Sequence, residues 1–416
     1  MKSSRKRVAC ERASGLRKAT DRAEALETIG RSFSGVERME RHMVEALWRG
    51  PAVSPEDTRV VVADGRVVST VVMTPRTMRF GPVTVPAVTV GPVATHEKYR
   101  KRNLASLSMQ DATRSMKDRG ILVAYLQGIP NFYYRFGYYP FLARSSAKFR
   151  REDAAKVSLP GRLRALTKQH LPVVRRLYDA ASAGRICAGV RDQEVWNWLL
   201  RFGKNTWVFP SPRVILDSEG AACGYVTTSD RDGFSAREIV VKLDERSCRV
   251  ALGALVREAK RREVKEVTLA RLPWDDPLAV FLRQYVGAEF TLNSNPTGGP
   301  LMLLVNFPTL MKRLEPLFSK RWAEAHSALR PPAFTLESEI GSVRLQVSGT
   351  GVTVGEPVGK PAVRVPERWL SGLLTGYYSV DDISPRTGAH IPLELKPVLN
   401  ILFPKGWPFV YQGDDF

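Results

Sequence analysis

The sequence predicts a mixed α/β and α+β protein of three domains, two of which repeat one order of strands and helices. Three observations carry this. Its 416 residues exceed what one hydrophobic core holds, because single cores stop growing near roughly 250–300 residues. The composition, 44% hydrophobic, 9% aromatic and 25% charged, is that of an ordinary globular chain and excludes collagenous and disordered classes. The order of elements also recurs: the strands starting at Ile121 and Val267 fall about 105 and 104 residues after Leu16 and Leu163.

The first domain, 1–150, starts with a short strand over Leu16–Thr20. Thr20 or Asp21 can cap the amphipathic helix that follows to about Phe33. Asp64-Gly65 between the β-branched runs Arg59–Val62 and Arg66–Met73 is a strong hairpin signal. A long β-branched strand, Val83–Ala94, leads to a basic helix from about Lys101 to Arg119, which Gly120 closes. A strand over Ile121–Leu126 then leads to the aromatic segment Phe132–Pro140.

The second domain, 151–303, repeats this order. Leu163–Thr167 echoes Leu16–Thr20, a helix spans Lys168 to about Ala183, and Arg213–Leu216 with Ala221–Thr228 forms a second hairpin. Glu238–Lys242, Cys248–Arg262 and Val264–Leu272 stand for the long strand, the helix and the next strand. Asp275-Asp276 after Trp274 suits a helix cap. The third domain, 304–416, reads as an amphipathic helix Pro308–Arg321, strands Phe334–Leu336, Val343–Val347 and Val352–Val354, a helix Pro366–Gly376 and an irregular tail. Gly349 and Gly351 mark a hairpin turn; their spacing does not suit a dinucleotide loop, and no helix follows.

Lys and Arg number 63 against 42 Asp and Glu, a net charge of +21, which invites a polyanionic partner such as a phosphorylated cofactor or nucleic acid. Residues 1–150 hold 27 basic and 13 acidic groups, so most of the excess sits in the first domain. No apolar run reaches the roughly 18–20 residues of a membrane helix. The basic start Met1–Cys10 lacks the apolar core of a secretory signal. A cytoplasmic protein is expected, and Cys10, Cys187, Cys223 and Cys248, too far apart for a metal site, read as free thiols.

Two segments carry candidate chemistry. In Val93-Ala94-Thr95-His96-Glu97-Lys98-Tyr99-Arg100-Lys101-Arg102-Asn103-Leu104-Ala105-Ser106 a strand breaks into a basic turn that opens onto a helix. Such a turn can offer backbone N–H groups and positive charge to a phosphate; a solvated basic helix start has the same appearance. About 30 residues on lies Phe132-Tyr133-Tyr134-Arg135-Phe136-Gly137-Tyr138-Tyr139-Pro140. Most of these rings suit core packing, and one tyrosine beside a thioester could protonate a departing thiolate.

Together these segments resemble the acyl-CoA site of the GNAT superfamily of N-acetyltransferases. Arg100–Ala105 is similar to its pyrophosphate loop and Phe132–Tyr138 to its tyrosine motif. The motif, the repeated domain and the α+β third domain further resemble the Eis (enhanced intracellular survival) family, with tandem GNAT domains and a sterol-carrier-protein-like C-terminal domain. That resemblance implies direct acetyl transfer from acetyl-CoA, without a metal, to a primary amine of an aminoglycoside, polyamine or lysine side chain. It implies Tyr133 as general acid and the terminal carboxylate of Phe416 as general base. It places acetyl-CoA against Val93, Ala94, Thr95, Lys101, Arg102, Asn103, Leu104, Ala105, Ser106, Gly128 and Ile129, and implies a homo-oligomer, a trimer or hexamer. Asn103 replaces the usual loop glycine, and it reaches left-handed backbone angles more readily than most residues. In the second domain the equivalent loop Lys242–Arg249 carries acids and no glycine, so this copy is expected to bind no CoA and to act as scaffold and pocket wall. The alternative reading is a catalytically silent acyl-CoA or nucleic-acid binding protein.

Overall fold

The computed structural model describes residues 10–33, 37–229, 234–349, 351–359, 361–383 and 387–415, and at 37–39 the backbone alone. The first strand is β1 (Arg12–Ser14); the one expected over Leu16–Thr20 is absent because α1 (Ala19–Ser32) has already begun there. Asp21 gives the reason. From the first turn of α1 its carboxylate accepts the N–H groups of Arg17 and Lys18 and pairs with Arg12 at 2.7 Å, so capping bends this stretch toward the helix. Then come α2 (Glu37–Leu47), β2 (Thr58–Ala63) and β3 (Arg66–Phe80). Between the two strands Asp64 and Gly65 both take positive φ, 51° and 72°, the left-handed pair a two-residue hairpin requires. The first domain continues with β4 (Val83–Thr95), α3 (Leu104–Asp118), β5 (Val123–Gly128) and β6 (Tyr139–Pro140). Helix α3 starts three residues later than the composition suggests, because Lys101 and Asn103 are left-handed at φ 62° and 63°.

The middle of the chain supplies β7 (Arg144–Arg150), α4 (Arg151–Val157), β8 (Arg162–Ala165), α5 (Leu171–Ser182), β9 (Ile186–Gly189) and α6 (Gln193–Arg201). After these run β10 (Pro212–Leu216), β11 (Ala222–Ser229), β12 (Ser235–Val241), α7 (Glu245–Arg261), β13 (Glu266–Leu269), α8 (Pro277–Tyr285), β14 (Glu289–Asn293) and β15 (Gly299–Leu304). Two large sheets result. One runs β1-β2-β3-β4-β5-β15-β6 with β9 joining β3, the other β8-β10-β11-β12-β13-β7-β14. Their orders correspond strand for strand, with the parallel pair at β4 and β5 in one and β12 and β13 in the other. The sixth strand of each is exchanged: β7, from before residue 150, pairs in the second sheet, and β15, at the expected division near 303, pairs in the first.

The helix expected over Pro308–Arg321 is two helices, α9 (Phe307–Arg313) and α10 (Glu315–Glu324). Pro316 lacks an N–H and clashes with the preceding turn, which favours the break. A four-stranded sheet follows, built from β16 (Phe334–Ser338), β17 (Gly341–Ser348), β18 (Gly351–Gly355) and β19 (Ala362–Arg364). Ser348 pairs with Gly351, and Gly349 has φ 48°, so the glycine pair closes a hairpin. After α11 (Glu367–Thr375) the tail is less irregular than its composition suggests, since it contains α12 (Lys396–Leu402). Phe334, Leu336, Leu345 and Val363 share one core with Phe80, Val123, Tyr125 and Met302 of the first sheet. Burial of each such side chain contributes about 1.5–3 kcal/mol, and it seats the third unit on the first.

Candidate active site

Strand β4 pairs with β3 along its length, but with β5 only where Ala87–Thr89 meet Val123–Tyr125. A register shift drives the separation beyond that point. Val71 of β3 faces Val93, whereas Met73 faces Val90, so Gly91 and Pro92 form a bulge, and proline offers no N–H to a neighbour. The strands open into a cavity of about 600 Å³ whose walls include Val93, Ala94, Thr95, Leu126, Gln127 and Tyr133. The N–H of His96 donates to Val68 O. Antiparallel alternation therefore directs the backbone of Ala94 to β3 and the amides of Val93 and Thr95 into the opening.

A second cavity of about 460 Å³ lies at the start of α3. It is lined by Arg100, Lys101, Asn103, Leu104, Ala105 and Ser106, and it shares Thr95, Arg100, Ala105 and Phe132 with the first. The two form one path. Asn103 precedes α3 in the left-handed conformation and its side chain caps nothing. The N–H groups of Ser106 and Leu107 return to Asn103 O, which leaves those of Leu104 and Ala105 at the positive end of the helix dipole for a ligand. Arg102 and Gly128 do not line either cavity. The Arg102 guanidinium lies 5.5 Å from the Tyr99 ring centroid. Gly128 packs against the tyrosine motif, where a Cβ would sit 2.6 Å from Leu301 Cδ1 and 3.0 Å from Tyr133 Cδ2; its smallness admits the ring. Ile129 lines the larger cavity and is 63% exposed.

Tyr133 opens a single 3₁₀ turn, Tyr133–Phe136, that Gly137 closes at φ 79°. Its ring meets Phe132 edge-on at 4.9 Å and Tyr138 at 6.2 Å. Burial pushes its phenol up to about 12, so at neutral pH it holds a proton that it can donate. Both Tyr133 and Tyr138 belong to one apolar cluster; Tyr138 is fully buried, while Tyr133, 8% exposed, also lines the cavity.

A splayed parallel strand pair, an open helix start and a tyrosine turn meet in one place, and residues 16–141, which contain all three, match the family described as acetyltransferase (GNAT) domain. Residues 16–141 form a GNAT domain. The chain thus carries an acetyltransferase enzyme domain. Solved structures extend the likeness in fold over nearly the whole molecule. A GCN5-related N-acetyltransferase from Anabaena variabilis superposes with a TM-score of 0.73 at 16% identity, covering 96% of this chain and 99% of its own. A conserved protein of unknown function from Enterococcus faecalis gives 0.74 at 17% identity over 96% and 98%. Eis1 from Mycobacterium abscessus gives 0.62 at 17% identity over 93% and 99%. The comparison with curated proteins returns no match.

The far wall of the GNAT cavity comes from residues that the motifs do not include. Phe33 approaches from the end of α1, Glu40 and Met43 from α2, Trp207 from the segment before β10, and Asp415 from the tail. Glu40 is 9% exposed and has no hydrogen-bond or ion-pair partner among the described residues; burial pushes its carboxyl up. Asp415 is held from two sides, its Oδ2 2.6 Å from both Arg144 and Arg271. Asp415 belongs to an acidic pair, Asp414-Asp415, that the sequence alone marks as able to attract a cationic substrate; nothing local marks Phe33, Glu40, Met43 or Trp207, because only the fold brings them together. Phe416 lies outside the described residues. Among the described residues no group of three or more His, Cys, Asp or Glu could hold a metal ion, and no helix is long and apolar enough to cross a membrane.

Proposed function

We propose that the protein transfers acetyl from acetyl-CoA directly to a primary amine of a small polycationic substrate, an aminoglycoside, a polyamine or a lysine side chain. The meeting of the β4–β5 opening with the uncapped start of α3 supports this most. The basic loop and the amides of Leu104 and Ala105 suit the pyrophosphate. The amides of Val93 and Thr95 would then stabilise the oxyanion of the thioester carbonyl. The amine enters protonated and must lose a proton before attack. Its nitrogen then bonds to the acetyl carbon, the C–S bond breaks, and Tyr133 protonates the thiolate. The terminal carboxylate of Phe416 is assigned the first proton by the family resemblance alone. The reading includes a tandem GNAT repeat, a sterol-carrier-like third domain and a homo-oligomer.

Release of free CoA thiol, followed with aminoglycosides, polyamines and lysine peptides in parallel, tests the reaction. Turnover with one class at least is expected. Acetyl-CoA binding without thiol release from any amine would instead leave a silent acyl-CoA binder. A chain extended beyond Phe416 should lose most activity; full activity would move the base elsewhere.

A further inference from the structure

The tail reaches the GNAT cavity through a buried polar knot that the reaction above does not use. Arg191, fully buried, donates from its terminal nitrogens to Glu238 at 2.8 and 3.0 Å and from Nε to Asp414 at 2.6 Å. The other Asp414 carboxylate oxygen accepts from Tyr178 OH at 2.7 Å and from the Gly189 N–H at 3.3 Å. Its backbone carbonyl accepts from Tyr125 OH at 2.5 Å. Glu238 also takes Tyr225 OH at 2.7 Å and the N–H of Gly413 at 2.9 Å. Tyr125 belongs to β5 of the first sheet, while Glu238 and Tyr225 belong to β12 and β11 of the second.

Burying one guanidinium with two carboxylates costs desolvation that apolar packing would avoid. The planar fork of arginine supplies orientation in return, since it fixes the planes of both carboxylates at once. Its consequence is positional. Asp415, next in the chain, lines the cavity and is held there by Arg144 and Arg271, and Gln412 donates to the carbonyl of Trp207, another lining residue, at 2.9 Å. The amine-facing wall of the first repeat is thus set by the second.

We propose that Arg191 is a positioning residue for acetyl transfer, acting through Asp414 to hold the tail and Asp415 in the wall that meets the amine. The role in transfer rests on the reaction proposed above; the holding of the tail is measured separately. Arg191→Lys keeps the charge without the fork, and Asp414→Asn keeps the shape with a weaker acceptor, so the milder variant remains available if the first fails to fold. Hydrogen exchange of the Gly413–Asp415 amides in the full chain should quicken at least tenfold in both variants. Acetyl-CoA Kd should stay within twofold, while kcat/KM for the amine falls about 10- to 100-fold through KM. The double variant should be no worse than the more damaged single, because both act on one contact. Unchanged tail exchange in folded Arg191→Lys would overturn the positioning role, as would equal rises in KM for amine and acetyl-CoA. A wild type inactive toward every amine would sink the reaction instead, and with it the catalytic half of this proposal.

Discussion

Helices α3 and α7 leave equivalent strands, β4 and β12, and begin in opposite ways. Before α3 the chain turns through left-handed Lys101 and Asn103, and no side chain caps the helix. Before α7 Asp244 adopts extended angles and its carboxylate accepts the N–H of Ser247 at 2.8 Å, with Glu245 in the first turn. The second copy has satisfied its helix start with its own anion, where the first leaves room for a foreign one. The turns after the next strand diverge too: the first copy places Tyr133 on a short 3₁₀ turn, and the second builds α8, capped by Asp276 through the Leu278 N–H at 2.9 Å. One strand order can thus open a helix with its donors free or with them capped, according to the residue that precedes it.

The largest effect expected within this contrast concerns Tyr133. Tyr133→Phe should lower kcat by about 10²–10⁴-fold, the usual worth of a positioned acid, with acetyl-CoA affinity within twofold. Activity above half that of wild type would place the proton donor elsewhere. Next, Ala105→Asp gives the first copy the acidic helix start of the second, and calorimetry should show acetyl-CoA binding about 10- to 100-fold weaker. Unaltered affinity would mean that the helix start is not the phosphate site.

Glu40→Gln should raise KM for the amine about tenfold, because the buried carboxylate has no cation among the described residues. Its raised pKa means that the proton stays on to a higher pH than on an exposed glutamate. The wild-type KM for amine should therefore climb as pH falls, and the variant should lack that climb; parallel profiles would remove Glu40 from substrate binding. The smallest change belongs to the second sheet and its helices. Burial pushes Asp276 up to about 6 from an ordinary 3.8, so between about pH 4 and 6 the folded state holds the proton more firmly and stability declines as pH rises. Asp276→Asn can still cap α8 without the charge. It should gain about 1–3 kcal/mol at pH 8 and nothing near pH 4, as read from denaturation at each pH; a loss at pH 8 would show that the ion pair with Arg185 outweighs burial.

Local chemistry was legible in the sequence and long-range chemistry was not. The hairpin at Asp64-Gly65, the left-handed Asn103 and the cap at Asp276 follow from backbone preferences of the residues themselves, and each is present. The GNAT fold could be read for the same reason, since its loop and its tyrosine turn are short segments. The exchange of β7 and β15 has no local signature, because either strand alternates equally well in either sheet. The repeat led to divisions near 150 and 303 that the sheets ignore. Among the site residues, Arg102 and Gly128 shared the motif's spacing but not its cavity, one drawn over Tyr99 and the other giving way to a ring. Glu40 and Trp207 carry no local signal, being ordinary residues until the fold gathers them, whereas Asp415 stands out in the sequence only as half of the acidic pair Asp414-Asp415, which could attract a cationic substrate.

The exchanged strands also set a clock on synthesis. Strand β5 finds its partner β15 only about 170–180 residues later in the chain. At roughly 5–20 residues per second, β5 waits some 10–40 s on the ribosome with the edge that β15 will cover unpaired. During that interval Val123, Ala124 and Leu126, which end fully or nearly fully buried, lack one neighbour, and an unpaired apolar edge is a template for any passing strand. A GNAT domain that the family places within residues 16–141 is therefore, for this chain, complete only after residue 304 has been made.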